Sequence, residues 1–498
     1  MDATITAIRE LDYHLEVFTN SSEVKKEIDE LLSAYEENYE FSARFRSGLW
    51  DGKKRFYEFK ENRFFIAKGF LELLLEKIQF THIELLPKSY DNEELKRYFK
   101  KILESLPFRP RKYQLKAAYG FITNNHHLGI IPTGGGKSAS IFITLRYFWE
   151  TNKKSLLIVP TINLVDQMFS DFEDYNAPKE FLNEIKKIGG EYKDKTLDSP
   201  LIISTWQSLQ KVPKSEIEKF DVLMTDEAHK LKSEVLQEIN LTRVKRKYGL
   251  TGSFPINELD AMKIIQICGK PQRYVTIQEL MDLGILTKTK IVALYLNYPR
   301  SITSSKMKYQ EEQKFIRESQ PRKNFVKNFL KTLNGVTVCL FNTTKHGEET
   351  FRSLHDPESE KISKKFDDMK KNGIFFMDGK TPSSVREQIR LYLNSPEAKN
   401  VILIAQFNVM STGINIPKLK NLVFLSSTKS YTLVLQSIGR IMRIHKDKGE
   451  TVYVYDLVDV FDYKKDNYAL KHFWQRASYY KSEGHPIIEK EIDLSKFL

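Results

Sequence analysis

Pro132-Thr133-Gly134-Gly135-Gly136-Lys137-Ser138 stands between an apolar run at 127–131 and a helix-like segment at 139–149. Strand, glycine loop and helix in that order gather backbone N–H groups and a helix N-terminus around one point, which suits phosphate. In such a loop Pro132, Thr133, Gly134, Gly135 and Gly136 form the cradle, Lys137 reaches the β- and γ-phosphates of ATP, and Ser138 ligates Mg2+. The strict spacing asks for Gly at position 131, where this chain has Ile131. A glycine-rich turn before an ordinary helix is the alternative, and it requires no second site.

A second site follows. Asp226-Glu227-Ala228-His229 closes an apolar run at 221–225, which predicts two adjacent carboxylates at a strand's C-terminal end, where ligands bind in open α/β sheets. Asp226 is expected to hold Mg2+ through water, and Glu227 to orient and deprotonate the water attacking the γ-phosphate.

Outward from these motifs, short apolar runs alternate with longer amphipathic segments, as in a parallel sheet with crossover helices. The first series of predicted strands is 127–131, 155–159, 201–205, 222–225 and 248–251. After a charged stretch at 304–322 a second series follows: 336–341, 374–377, 401–405, 422–425 and 452–455. The expected organisation is an N-terminal nucleic-acid-binding domain at 1–95, two α/β domains at 96–295 and 296–460, and a helical tail at 461–498 without strand signal.

The two sites resemble motifs I and II of superfamily 2 helicases, and further motifs occur in the family's order. Arg111-Lys112-Tyr113-Gln114 is similar to the adenine-reading Q motif. Val159-Pro160-Thr161 and Ser204-Thr205-Trp206-Gln207 are similar to strand-contact motifs, and Leu250-Thr251-Gly252-Ser253 to motif III. Asp378-Gly379-Lys380 and Ser411-Thr412-Gly413-Ile414-Asn415-Ile416-Pro417 resemble the segments leading to and forming motif V. Gln436-Ser437-Ile438-Gly439-Arg440-Ile441-Met442-Arg443 resembles motif VI. The resemblance implies two tandem RecA-like motor domains with a small N-terminal α+β DNA-binding domain. It implies nucleotide contacts from Arg111, Gln114 and Gly413, and DNA contacts from Thr161, Thr205, Gly379 and Thr412. His229, Thr251 and Ser253 would couple nucleotide state to strand binding. Gln436, Arg440 and Arg443, at near-helical spacing, would stabilise charge on the γ-phosphate as arginine fingers.

Formal net charge is +13 over 498 residues, a field that attracts phosphate polyanions. Between 41 and 70 eight Lys/Arg face three acids, interleaved with Phe45, Trp50, Phe56, Tyr57 and Phe59, and Trp50-Asp51-Gly52-Lys53 reads as a turn with strands on both sides. Arg44, Arg46, Trp50, Lys53, Lys54 and Arg55 are the candidate DNA contacts there, since basic groups alternating with aromatics track phosphates and stack on bases; a small β domain with a solvated charged face is the plainer alternative. The segment 43–53 resembles the N-terminal domain of phage UvsW-type helicases, as do Ile188-Gly189-Gly190 and Tyr309-Gln310-Glu311-Glu312 through Arg322-Lys323-Asn324. That likeness implies an ATP-dependent helicase acting on branched or duplex DNA, meeting single-strand-binding and recombination proteins, and working as a monomer.

Cys268 and Cys339 each sit in apolar runs, which argues against a disulfide framework. No apolar run approaches a bilayer span. A soluble protein of a reducing compartment is expected, the host cytoplasm for a phage-encoded chain. An RNA or RNA–DNA helicase, the motor subunit of a restriction-type translocase, and a binding module with a decayed ATPase are the competing readings.

Overall fold

The computed structural model describes residues 5–87, 90–190, 192, 194–299, 307–355, 363–411, 416–461 and 466–498. The chain forms two compact units, one from Met1–Pro132 and Gly136–Val275, the other from Thr276–Leu498 with Thr133–Gly135.

The first unit begins with a five-stranded sheet in the order Tyr57–Lys60, Arg63–Ala67, His14–Thr19, Thr6–Glu10, His82–Glu84. Its strands alternate buried and exposed residues, the pattern of a sheet with one wet face. Glu61 and Asn62, both at positive φ, make the tight hairpin between Tyr57–Lys60 and Arg63–Ala67. The buried face (Ile8, Leu15, Val17, Phe64, Ile66) packs with Phe70 and Leu74, and the same cluster takes in Leu259 and Met262. Those two residues belong to the helix Glu258–Cys268 of the following α/β region. The N-terminal sheet therefore shares a core with that region, and the boundary expected at 95 falls inside the helix Asn92–Ser105.

The α/β part of this unit is a seven-stranded sheet, ordered Ile185–Ile188, Leu201–Thr205, Ser155–Val159, Val222–Asp226, Arg246–Thr251, His126–Ile130, Pro271–Arg273. Every neighbour pair is parallel. Ser155–Val159, Leu201–Thr205 and Val222–Asp226 are buried at every residue, as strands covered by helices on both faces must be.

The second unit carries another all-parallel seven-stranded sheet: Ile374–Met377, Ile402–Gln406, Val336–Phe341, Leu419–Phe424, Thr451–Val460, Lys288–Asn297, Ile487–Asp493. The expected boundary at 295 cuts the strand Lys288–Asn297. The tail departs from its all-helical expectation: after the helix Tyr468–Ser482 it adds the strand Ile487–Asp493 to the sheet edge. Charged residues suit an exposed edge strand, which is why its sequence shows no apolar signal. No helix of the described residues is long and apolar enough to cross a membrane.

Candidate active site

Three neighbouring strands, Val222–Asp226, Arg246–Thr251 and His126–Ile130, end side by side. Their C-terminal loops therefore bring together segments that are distant in sequence. Gly134 and Gly136 have φ of 84° and 77°, conformations a side chain disfavours, and Gly136 is the N-cap of the helix Lys137–Glu150. A Cβ at Gly136 would run into the Gln114 amide. Gln114 accepts from the Arg111 backbone N–H at 2.8 Å and donates to the Gly136 carbonyl at 3.1 Å. The amide expected to read adenine thus ties the start of the helix Lys112–Thr123 to the phosphate loop.

Lys137 Nζ lies 3.3 Å from Glu227 Oε1, and His229 Nδ1 lies 3.2 Å from Glu227 Oε2. His229 Nδ1 also meets Thr251 Oγ1 at 3.0 Å, and that hydroxyl donates to the Ser253 carbonyl at 2.8 Å. Because the threonine proton is committed to Ser253, Nδ1 is the donor, which fixes the imidazole tautomer. Lys137, Glu227, His229, Thr251 and Ser253 form one continuous polar chain.

Glu227 adopts φ 54°, ψ 49°, a left-handed conformation rare for its type and found where a site holds it in place. Burial works to raise the Glu227 pKa, but the Lys137 charge and the His229 contact hold it below the usual carboxylate range. Burial, then the neighbouring Glu227 charge, push Asp226 up to about 6.

Asp226 Oδ1 is buried with no hydrogen-bond partner among the described residues. An orphaned carboxylate oxygen of this kind fits a hard divalent cation. Ser138 Oγ lies 2.7 Å from Tyr175 Oη; a serine that donates there keeps its lone pairs for the same ion. The residues present fit Mg2+. Tyr175 carries no mark in the sequence, because nothing local signals a partner 37 positions away.

The strand-contact candidates divide. Thr161 Oγ1, at the start of the helix Ile162–Asp174, has no hydrogen-bond partner among the described residues. Thr205 is buried with its hydroxyl 3.1 Å from Ser208 Oγ. Trp206 packs against the apolar core. Gly379 is exposed and gives its N–H to Gln406 at 3.1 Å. Thr412 and Gly413 lie outside the described residues.

In the second unit Gln436 and Arg440 belong to the helix Tyr431–Ile441, hereafter the arginine helix. Arg443 does not share its face: the helix is capped at Met442, and Arg443 pairs as an isolated bridge with Leu286. The Thr287 N–H takes the Met442 carbonyl at 2.7 Å, which stops the helix there.

In the N-terminal sheet region the turn at 50–53 is flanked by a strand on one side only. The helix Ala43–Arg46 precedes it, ended by Gly48 at φ 72° with Gly48 and Leu49 N–H groups returning to Phe45 and Arg44, a glycine-dependent helix stop. Cations lie over aromatic rings throughout: Arg44 over Trp50 at 6.0 Å, Arg46 over Phe41 at 5.9 Å, Lys53 over Tyr35 at 5.2 Å and Lys54 over Phe56 at 5.7 Å. Arg55 differs. Its guanidinium pairs within the domain with Asp29 and Asp51, each at 2.8 Å.

Residues 107–255 match the family model for the type III restriction enzyme res subunit, and residues 321–445 match the helicase conserved C-terminal domain. With both nucleotide-site motifs in place, the chain belongs to the superfamily 2 helicases. Its likeness to the ATP-dependent DNA helicase uvsW of Enterobacteria phage T4 runs at 29% identity over 94% of this chain and 95% of that one. Putative helicase 22 of a Sulfolobus islandicus filamentous virus is 27% identical over 72% of this chain and 67% of its own length. A fragment of a putative HsdR subunit of a type I restriction enzyme from Vibrio vulnificus shares the fold, with TM-score 0.58 and 19% identity over 81% of this chain and 72% of that one.

Proposed function

We propose that this chain is an ATP-driven DNA helicase that remodels branched DNA by junction migration, D-loop and R-loop dissociation and fork regression, in recombination, replication and repair. The observation that carries the reading is the Lys137–Glu227 pair at 3.3 Å beside the unbonded Asp226 oxygen. Without substrate, Lys137 holds Glu227 as a weak base; a phosphate that draws Lys137 away frees Glu227 to accept a proton from the attacking water. Asp226 and Ser138 would hold magnesium, which neutralises phosphate charge when bound. Gln436, Arg440 and Arg443 are assigned the charge that develops on the transferred phosphoryl group. His229, Thr251 and Ser253 carry the state of Glu227 along their hydrogen bonds.

The DNA assignment draws on the T4 relative, named an ATP-dependent DNA helicase, and on the basic, aromatic surface formed by Arg44, Arg46, Trp50, Lys53 and Lys54. Phosphate contacts of that sort are indifferent to base sequence. The res-subunit match favours one second reading, a restriction-type translocase motor.

The test is ATP hydrolysis with no nucleic acid, single strands, linear duplex, RNA and a mobile four-way junction, with strand products scored in parallel. Stimulation by the junction with conversion to two duplexes supports branch remodelling. Equal stimulation by linear duplex without strand products supports the translocase motor, and stimulation by RNA alone overturns the DNA assignment.

A further inference from the structure

The arginine helix is held at both ends by residues outside the ordinary motif set. At its C-terminal end Lys448 Nζ donates to the Ile441 carbonyl at 2.5 Å, and Thr287 binds the carbonyls of Met442 and Arg443. At its N-terminal end the chain enters through 425–430, a loop with no regular structure. Several carbonyls of that loop are taken: Arg322 donates to the Leu425 carbonyl and Asn342 to the Ser427 carbonyl, each at 2.8 Å. The tail helix Tyr468–Ser482 supplies further donors. Arg476 Nη1 donates to the Thr428 carbonyl at 2.8 Å and to Ser427 Oγ at 3.3 Å, and Tyr479 donates to the Lys429 carbonyl at 3.1 Å. Ser430 then caps the arginine helix through the Leu433 N–H.

Arg476 is itself locked. Its guanidinium forms a bidentate pair with Asp456, both bonds 2.8 Å, and Tyr480 donates to the same carboxylate at 2.7 Å. Arg476 and Asp456 are 1% and 0% exposed. A charged pair removed from water to this degree is costly, and replacing it with apolar groups often does no harm to stability, so stability alone does not account for it. The planar fork spends one edge on Asp456 and aims the other at the loop, a division of labour that lysine cannot reproduce. The tail helix also lies beyond the matched helicase segment, which ends at 445.

We infer that Arg476 is a positioning residue for the arginine helix: through Ser427 and Thr428 it fixes where Gln436 and Arg440 are presented. The inference rests on the proposed role of those residues at the phosphate. It makes the tail part of the hydrolytic machinery through the loop before the arginine helix.

The test uses the full chain, with steady-state ATP hydrolysis on saturating DNA well below Tm, comparing wild type with Arg476→Ala and Tyr479→Phe. For Arg476→Ala the expected result is kcat lower by roughly tenfold or more with KM for ATP within about twofold, the signature of an interaction expressed in the transition state. Added guanidinium should restore much of the loss by refilling the fork's place. Tyr479→Phe leaves the Arg476–Asp456 pair intact and is expected to lower kcat by about two- to fivefold at unchanged Tm. A role confined to stability would lower Tm and leave kcat per folded molecule at the wild-type value, and that result overturns the inference. Should Arg476→Ala fail to fold, Arg476→Lys, which keeps the charge without the fork, takes its place, and wild-type kcat in that variant overturns the inference equally. A wild-type chain with no ATP hydrolysis would remove the functional reading itself, and this inference with it.

Discussion

Lys137 and Glu227, 90 positions apart in sequence, meet at 3.3 Å because the loops carrying them leave strands separated by a single neighbour. On the proposed roles the pair is self-silencing, since the lysine assigned to phosphate first neutralises the carboxylate assigned to take the proton. Lys137→Ala and Glu227→Gln are each expected to lower kcat for ATP by about 10²–10⁴-fold, the usual worth of a general base or its partner. Glu227→Gln should retain ATP binding, seen by filter retention of labelled nucleotide. Unimpaired turnover in Glu227→Gln would remove its assignment as the base.

Gln114 joins the Arg111 N–H to the Gly136 carbonyl. Gln114→Ala leaves both backbone groups short of a partner, at about 1–3 kcal/mol each if they remain buried. The expected outcome is a lower Tm and a raised KM for ATP. An unchanged KM would show that the glycine loop holds its shape without this amide.

The N-terminal cations should separate into two kinds. Alanine at Arg44, Arg46, Lys53 or Lys54 is expected to weaken DNA binding and to reduce the slope of log K against log salt by about 0.9 for each duplex phosphate that is no longer neutralised. Arg55→Ala should leave that slope unchanged while lowering Tm, because Arg55 is spent on Asp29 and Asp51. Titrations across a salt series with each variant decide the matter.

Acid should unfold the protein early. Burial pushes the imidazoles of His127 and His485 down to about 4, and burial with the Arg322 charge pushes His346 down to about 3. The unfolded chain binds these protons first, near the ordinary histidine value of about 6.5. Stability is therefore complete above that value and is lost as pH falls through about 6.5 towards 4, by on the order of 3 kcal/mol per histidine. Neither ring nitrogen of His485 has a hydrogen-bond partner among the described residues, so His485→Phe should flatten part of the fall. A Tm that stays level from pH 7.5 to 5 would contradict this.

Local chemistry makes much of the fold and site readable. The fully buried strands Ser155–Val159 and Val336–Phe341 need continuous apolar runs, and the positive φ at Gly134 and Gly136 needs glycine, so both features are written in adjacent residues. The strand Ile487–Asp493 leaves no such mark because an edge strand tolerates charge. Arg443 looks helical by spacing and is taken out of the helix by a partner, Leu286, far away in sequence.

The sequence by itself determined the order of the motifs, the parallel-sheet class and the residue types that suit phosphate, since each depends on neighbours along the chain. Only the tertiary structure decided which polar groups meet. Arg322 finds Asp459 across 137 positions, Ser138 finds Tyr175 across 37, and Arg476 reaches the loop before the arginine helix across 48. Such pairings are set by strand order and by the cost of leaving buried charge unpartnered, and neither quantity has a local signature in the chain.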